Sequence, residues 1–174
     1  MKHRTRRGLI RGMGALSISG LAGCSVLSNT SPPSTPTPAY DHLERTATYV
    51  SDDVGLRLPD KVPRVESPTF ADLIVLHGNP GVDGEQVVTW LVDERWIALL
   101  GDRSQETWLT WTQQESYRDT FGDQERSRVG STPHLLVATA SETTVSTGRF
   151  SWSDLPTNSE LVQALEEALA NIAP

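Results

Sequence analysis

The chain has 174 residues and a net charge of −7, with 22 acidic side chains, 15 basic side chains and one cysteine. The length suits a single domain, one cysteine excludes an intramolecular disulfide, and the acidic balance argues against nucleic-acid binding, which requires clustered Lys and Arg. Five basic residues precede Cys24, so ten remain against 22 acidic residues and the rest of the chain carries −12. A net charge of this size favours solubility.

The first 24 residues have the three parts of an export signal. They begin with a basic run, continue with a short apolar stretch from Met13 to Leu21, and end in small residues before Cys24. The apolar stretch is too short to span a bilayer, which takes about 20 apolar residues. After Gly8, the pair Arg6 and Arg7 is followed by two apolar residues and a basic one, and this segment resembles the twin-arginine (Tat) export motif.

The sequence Leu21-Ala22-Gly23-Cys24 resembles the lipobox of prokaryotic lipoproteins. In that family a lipid alkylates the cysteine thiol, and the chain is cut just before the cysteine. The resemblance implies that residues 1–23 are a Tat signal peptide. It also implies that lipid on Cys24 attaches the protein to the outer face of the cytoplasmic membrane. Two alternatives remain: plain secretion with an incidental cysteine, or a cytosolic protein with a basic tail.

Residues 24–39 form a lipidated tether in this interpretation. They are rich in Ser, Thr and Pro, a composition that cannot build a core and is typical of a flexible, partly extended linker. Asn29 begins an Asn-Thr-Ser sequon and is a candidate glycosylation site. The single domain is expected to cover residues 40–174. Its acidic residues and single lysine, Lys61, resemble the composition of proteins from salt-loving prokaryotes.

Patterns of apolar residues predict the elements of the domain. Helices are expected to begin at Asp83, at Ser104 and after Thr157; the second runs to about Tyr117, and residues 118–131 form a surface loop. In the first helix, Trp90 is expected to lie off the apolar face and to be exposed. Strands are expected at 46–51, 54–58, 71–77, 97–100, 135–140 and 143–153, the last two as an antiparallel hairpin.

This order predicts an α/β fold with an open, mostly parallel sheet, helices on both faces and an antiparallel edge hairpin. Residues 71–102 comprise a strand, a Gly/Pro turn, a helix ending in Trp96 and a strand ending in Gly101-Asp102. This stretch resembles the flavodoxin-type sheet of glutamine amidotransferases. A thioredoxin-like core is the alternative, because Pro133 precedes the third long strand where that family keeps a cis proline. No Cys-x-x-Cys accompanies it.

Ligands of open α/β sheets bind beyond the carboxyl ends of the strands. This rule selects polar residues that follow the predicted strands as weak candidates for ligand binding, whereas His134 precedes its strand and is expected at the opposite edge. The turn at 77–81 resembles the oxyanion-hole turn of α/β-hydrolases, without the Gly-x-Ser-x-Gly that a hydrolase nucleophile needs. The candidates for ligand binding are His77, Asn79, Asp102, Arg103 and Ser141, and those for catalysis are His77, Asp102 and Ser104.

The sequence predicts no metal site and no cofactor, since metal-binding spacings and phosphate-binding loops are missing. The expected partners are the membrane, through Cys24, and an envelope protein; nucleic acid is not expected. The function expected is that of a membrane-anchored lipoprotein with a non-catalytic binding or interaction domain. The alternatives are a degenerate or novel hydrolase and a small-molecule-binding lipoprotein.

Overall fold

A computed structural model describes residues 39–123 and 133–172. The predictions for the signal segment with Arg6 and Arg7, for Cys24 and for Asn29 lie outside the described residues, as does most of the predicted loop at 118–131. The described residues belong to one compact unit.

The centre of the domain is a five-stranded mixed sheet. Its first three strands are mutually parallel, and the last two form an antiparallel hairpin added at one edge. Four of the five strands therefore run in the same direction, and only β4 runs in the other. This arrangement confirms the predicted α/β class with an edge hairpin. The strands are β1 (Thr48–Val50), β2 (Leu73–His77), β3 (Trp96–Leu100), β4 (Leu135–Ser141) and β5 (Thr144–Phe150).

Helices cover both faces of the sheet, as predicted. Three helices pack on one face, where they contact alternate residues of the central strands such as Ile74 and Ile97. The fourth helix packs on the other face together with the chain before β1 and the loop between β1 and β2. The helices are α1 (Gly84–Val92), α2 (Ser104–Thr112), α3 (Glu115–Phe121) and α4 (Asn158–Asn171).

Local capping explains where two of these helices begin. The Asp83 carboxylate accepts a hydrogen bond from the backbone N–H of Gln86 at 2.8 Å, which satisfies one free donor of the first turn of α1. At α4, the Thr157 hydroxyl accepts from the Glu160 N–H while the Glu160 carboxylate accepts from the Thr157 N–H. The N-caps at Asp83 and Thr157 are confirmed, because these interactions depend only on residues three positions apart.

The strands follow one another across the sheet in chain order, β1-β2-β3-β4-β5. This order differs from the 2-1-3-4-5 order of flavodoxin-type sheets, in which the order reverses between neighbouring strands. Ligand crevices in that fold form at the reversal, where successive crossovers diverge to opposite faces. No such reversal occurs among the five described strands.

The segment 54–58 is not a strand, contrary to the prediction. Leu56 and Leu58 are buried in the core on the α4 face, but Gly55 interrupts the extended conformation with a φ of +67°. The backbone of Arg57 bonds to a side chain instead of a neighbouring strand. Its N–H donates to Asn158 Oδ1 and its carbonyl accepts from Asn158 Nδ2, both at 2.8 Å.

Two further predictions are wrong on the face that carries α1. The predicted second helix is two helices, α2 and α3, and α3 extends to Phe121 in the segment expected to be a loop. Trp90 is buried, with 5% of its surface exposed, and belongs to the core on this face. Since α1 packs against α3 as well as against the sheet, two sides of α1 are covered rather than one.

Candidate functional site

The strand directions decide which candidate residues meet at one edge of the sheet. The carboxyl ends of β2 and β3 lie beside the start of β4, because Leu100 pairs with Leu135 in antiparallel register. The N–H of Gly101 donates to the carbonyl of His134 at 2.8 Å. His134 therefore lies at the same edge as His77, and its predicted place at the opposite edge is wrong.

Ser141 does not join the other candidates. It ends the antiparallel strand β4, where it pairs with Thr144 at the start of β5. This position lies at the amino edge of the parallel strands, on the far side of the sheet from His77 and Asp102. The rule that groups strand ends holds only for parallel strands, so the antiparallel direction of β4 separates Ser141 from the expected site.

His77 is exposed at the end of β2. Its Nδ1 lies 3.3 Å from the backbone nitrogen of Asn79, a distance at which the ring nitrogen accepts the amide hydrogen. We assign the proton to Nε2 on this basis. The ring lies over Gly101: a Cβ built there would be 3.8 Å from His77 Nε2. His77 is thus held by its own turn, and the Asn79 side chain beside it is exposed.

Asp102 and Arg103 lie on the turn between β3 and α2, and both are exposed. Arg103 forms an ion pair with Glu106, with its Nε 3.1 Å from Glu106 Oε2. The hydrogen bond from Arg103 and its positive charge hold the pKa of the Glu106 carboxyl below its usual value, and Glu106 likewise raises the pKa of Arg103. Arg103 is therefore engaged within its own helix rather than directed towards His77.

Ser104 is fully buried and is the first residue of α2. Its hydroxyl lies 3.0 Å from the carbonyl oxygen of Leu99 and also within hydrogen-bonding distance of the carbonyl of Gly101. It donates to backbone carbonyls and does not accept from the first turn of the helix, so Ser104 begins α2 without capping it. A hydroxyl committed in this way cannot reach a substrate without breaking these bonds.

The described part of this edge does not assemble a catalytic group. No hydrogen bond connects His77, Asp102 and Ser104 within residues 39–123 and 133–172, whereas a nucleophile and its base must lie within hydrogen-bonding reach. Residues 39–123 and 133–172 also contain no group of three or more His, Cys, Asp or Glu side chains that could hold a metal ion.

A groove lies further along the same edge, between the end of β5 and α4, and we call it the β5–α4 groove. It is open to solvent on one side and has a volume of about 390 Å³, within the range of small-molecule sites. Two half-buried aromatic side chains form one wall, and polar side chains of α4 form the other. The groove is lined in part by Arg149, Phe150, Trp152, Glu160, Gln163 and Glu167.

Sequence reasoning missed two arrangements that depend on distant residues. His134 supports the groove, since its Nδ1 lies 3.3 Å from the backbone nitrogen of Trp152 and its ring centroid is 6.1 Å from that of Trp152. Glu166 in α4 accepts hydrogen bonds from the backbone N–H groups of His42 and Leu43 and from the His42 ring. The one sequence signal for the groove is the Phe-x-Trp pattern at 150–152, which places two aromatic side chains on the same face of an extended segment.

Comparison of the chain with family models, with curated proteins and with solved structures finds no match.

Proposed function

We propose that this protein is a lipoprotein, exported by the Tat pathway and attached to the outer face of the cytoplasmic membrane, whose domain binds a ligand or partner without catalysing a reaction. The observation that carries the proposal is the segment 1–24. There a twin-arginine pair, a weakly apolar stretch and the sequence Leu21-Ala22-Gly23-Cys24 follow one another in the order of a lipoprotein signal.

The anchor rests on the chemistry of Cys24. It is the only thiol in the chain and so has no intramolecular disulfide partner, and Ala22 and Gly23 are small enough for a signal peptidase. Lipid chains contribute about 0.8 kcal/mol per buried methylene, so two chains on one cysteine attach a protein stably. The Ser/Thr/Pro-rich residues up to 39 would separate the domain from the lipid surface.

Among the residues that the structure describes, no helix is long and apolar enough to cross a membrane.

The non-catalytic part of the proposal is supported by how the candidate groups are used. Ser104 is buried against backbone carbonyls, Arg103 pairs with Glu106, and His77 accepts a bond from its own turn. These contacts leave no activated nucleophile among the candidates, which argues against the hydrolase alternative. The small-molecule-binding alternative is favoured by the β5–α4 groove. The acidic composition supports a role in concentrated salt, which screens self-repulsion.

Anchoring is tested by the substitution Cys24→Ser, expressed in a prokaryotic host with a Tat pathway. We expect the wild type in the membrane fraction, with a lipid thioether on Cys24 detected by mass spectrometry of the N-terminal peptide. The Cys24→Ser variant lacks the nucleophile for the lipid and is expected to leave the membrane fraction or remain unprocessed. Ser25→Ala is the matched control, because it changes the neighbouring residue and keeps the thiol.

Export is tested separately by replacing Arg6 and Arg7 with lysine, which keeps the charge but removes the arginine pair. We expect the precursor to stay in the cytoplasm. A Cys24→Ser chain that has lost its signal peptide and still remains with the membrane after high-salt washing, or a wild type without lipid on Cys24, would contradict the anchor.

A further inference from the structure

One wall of the β5–α4 groove is formed by two aromatic side chains that contact each other. The rings of Phe150 and Trp152 are stacked, with centroids 6.4 Å apart and an angle of 22° between their planes. Both side chains are partly buried against the core on the α4 face, and the His134 ring contacts that of Trp152, with centroids 6.1 Å apart. A stacked pair loses little conformational freedom when a ligand covers its exposed surface.

The opposite wall is acidic. Glu160, Gln163 and Glu167 occupy one stripe of α4, and the two carboxylates are two helical turns apart, about 10 Å along the axis. Hydrogen bonds from the Thr157 N–H and hydroxyl keep the pKa of Glu160 below its usual value, so this group is ionised at neutral pH. The Glu167 carboxylate forms no hydrogen bond or ion pair with another described residue.

No positive charge balances these carboxylates inside the groove. Arg149 contributes to the lining, but its guanidinium bonds to Gln105 in α2 at 3.0 Å and to Thr147, which places it on the opposite face of the sheet. The groove thus combines an aromatic wall with two negative charges in a chain that is itself strongly acidic. A cation gains from both features, through cation–π contact and through the carboxylates, whereas an anion is repelled.

We propose that the β5–α4 groove binds a linear aliphatic polyamine, with one ammonium group at Glu160, one at Glu167 and the methylene chain against Phe150 and Trp152. The two carboxylates are too far apart along the helix to bind one compact metal ion, and their spacing favours an extended dication. The aromatic wall also supplies no oxygen ligands for a metal ion. The proposal names the ligand class for the binding role proposed above and rests on that role, but it does not depend on the lipid anchor.

The test is calorimetric titration of spermidine into the full chain, solubilised in a neutral detergent, at two salt concentrations. We expect one saturable site. Glu167→Gln should weaken binding about tenfold, because it removes one of the two charge contacts and leaves the groove open. Trp152→Ala should weaken binding by a similar factor, and Trp152→Phe, which keeps an aromatic ring, should bind more tightly than Trp152→Ala. Circular dichroism checks that each variant is folded.

Glu85→Gln is the matched control, since it removes the same charge from the exposed surface of α1, on the other face of the sheet. It should leave spermidine affinity unchanged. An equal loss in Glu85→Gln and Glu167→Gln, or displacement of spermidine by magnesium chloride at the same ionic strength, would show diffuse attraction to an acidic surface and overturn the proposal. Cys24→Ser should bind as the wild type does, so failure of the anchor and failure of the ligand site are measured separately.

Discussion

Gly78 shows how one residue determines the geometry of the sheet edge. Its N–H donates to the carbonyl of Leu100 at 2.7 Å, and its own carbonyl accepts from the Thr107 hydroxyl. A Cβ built on it would lie 3.1 Å from the Ser104 nitrogen and 3.3 Å from the Leu100 oxygen. The turn after β2 can approach the start of α2 this closely only because residue 78 has no side chain.

We therefore expect Gly78→Ala to lower the free energy of unfolding by about 1–3 kcal/mol, because the new methyl group meets backbone atoms that cannot move independently. Gly81→Ala is the control in the same turn, since a Cβ there meets nothing within 4 Å. It should be neutral or stabilise by up to about 1 kcal/mol by restricting the unfolded chain. Urea denaturation of both variants measures the difference, and equal stabilities would contradict this account of the turn.

At the scale of elements, the end of α1 explains how the chain passes from that helix into β3 within a few residues. The Arg95 N–H donates to the carbonyl of Trp90 and the Glu94 N–H to that of Leu91, which is the Schellman pattern. Glu94 adopts a φ of +58°, a left-handed conformation that this motif usually assigns to glycine. A side chain at such a φ costs about 1–2 kcal/mol, so this turn holds local strain.

We expect Glu94→Gly to raise the free energy of unfolding by about 0.5–1 kcal/mol, because relief of the strain exceeds the added entropy of the unfolded chain. Glu167→Gly is a suitable comparison: it places glycine inside α4, where it should destabilise by about 1 kcal/mol. Thermal and urea unfolding monitored by circular dichroism measure both changes. A destabilised Glu94→Gly would mean that the Glu94 side chain makes a contact worth more than the strain.

At the scale of the whole domain, Glu166 connects the first described residues to the last helix. Its carboxylate accepts three hydrogen bonds from His42 and Leu43, which lie more than 120 residues earlier in the chain. Partial burial acts to raise the pKa of Glu166, but the bonds from the two backbone N–H groups and from the His42 ring outweigh it and leave the pKa lowered. The folded state therefore favours the ionised carboxylate.

A pKa that is lower in the folded state than in the unfolded state determines the direction in which stability changes with pH. The stabilisation from Glu166 is fully present above the ordinary carboxyl pKa of 4.5 and is lost as the pH falls through the lower, folded value. We expect Glu166→Gln to cost about 1–2 kcal/mol at pH 7, and the difference from wild type to shrink below pH 4.5. Glu66→Gln, in an exposed loop, is the control. Denaturation curves from pH 3 to pH 7 test this, and a difference independent of pH would contradict it.

The sequence predicted those features that depend on residues close together in the chain. The capping interactions of Asp83 and Thr157 reach only three residues, and the apolar runs of β2 and β4 identify strands buried on both faces. These local signals were sufficient for the α/β class and for the edge hairpin. The same kind of signal failed at Leu56 and Leu58, since their backbone is satisfied by Asn158, about 100 residues away.

The candidate site was predictable only in part. His77 and Asp102 lie at the expected edge. His134 lies at that edge too, and Ser141 lies at the opposite one, each contrary to the prediction, because the hydrophobic pattern of a strand does not indicate its direction. Trp90 was misplaced for a related reason: its burial depends on α3, a neighbour from elsewhere in the chain. The β5–α4 groove combines residues from the end of β5 and from α4, which are separated by the connecting segment 151–157 and which no local pattern joins.

By itself, the sequence determined the class of fold, the starts of three helices and the charge of the domain. The tertiary structure alone decided the direction of β4, the burial of Ser104, the link between His42 and Glu166 and the walls of the β5–α4 groove. The physical reason is the distance along the chain over which each kind of interaction acts. Capping and periodicity act over a few residues, whereas strand pairing and core burial join residues that meet only when the chain is folded.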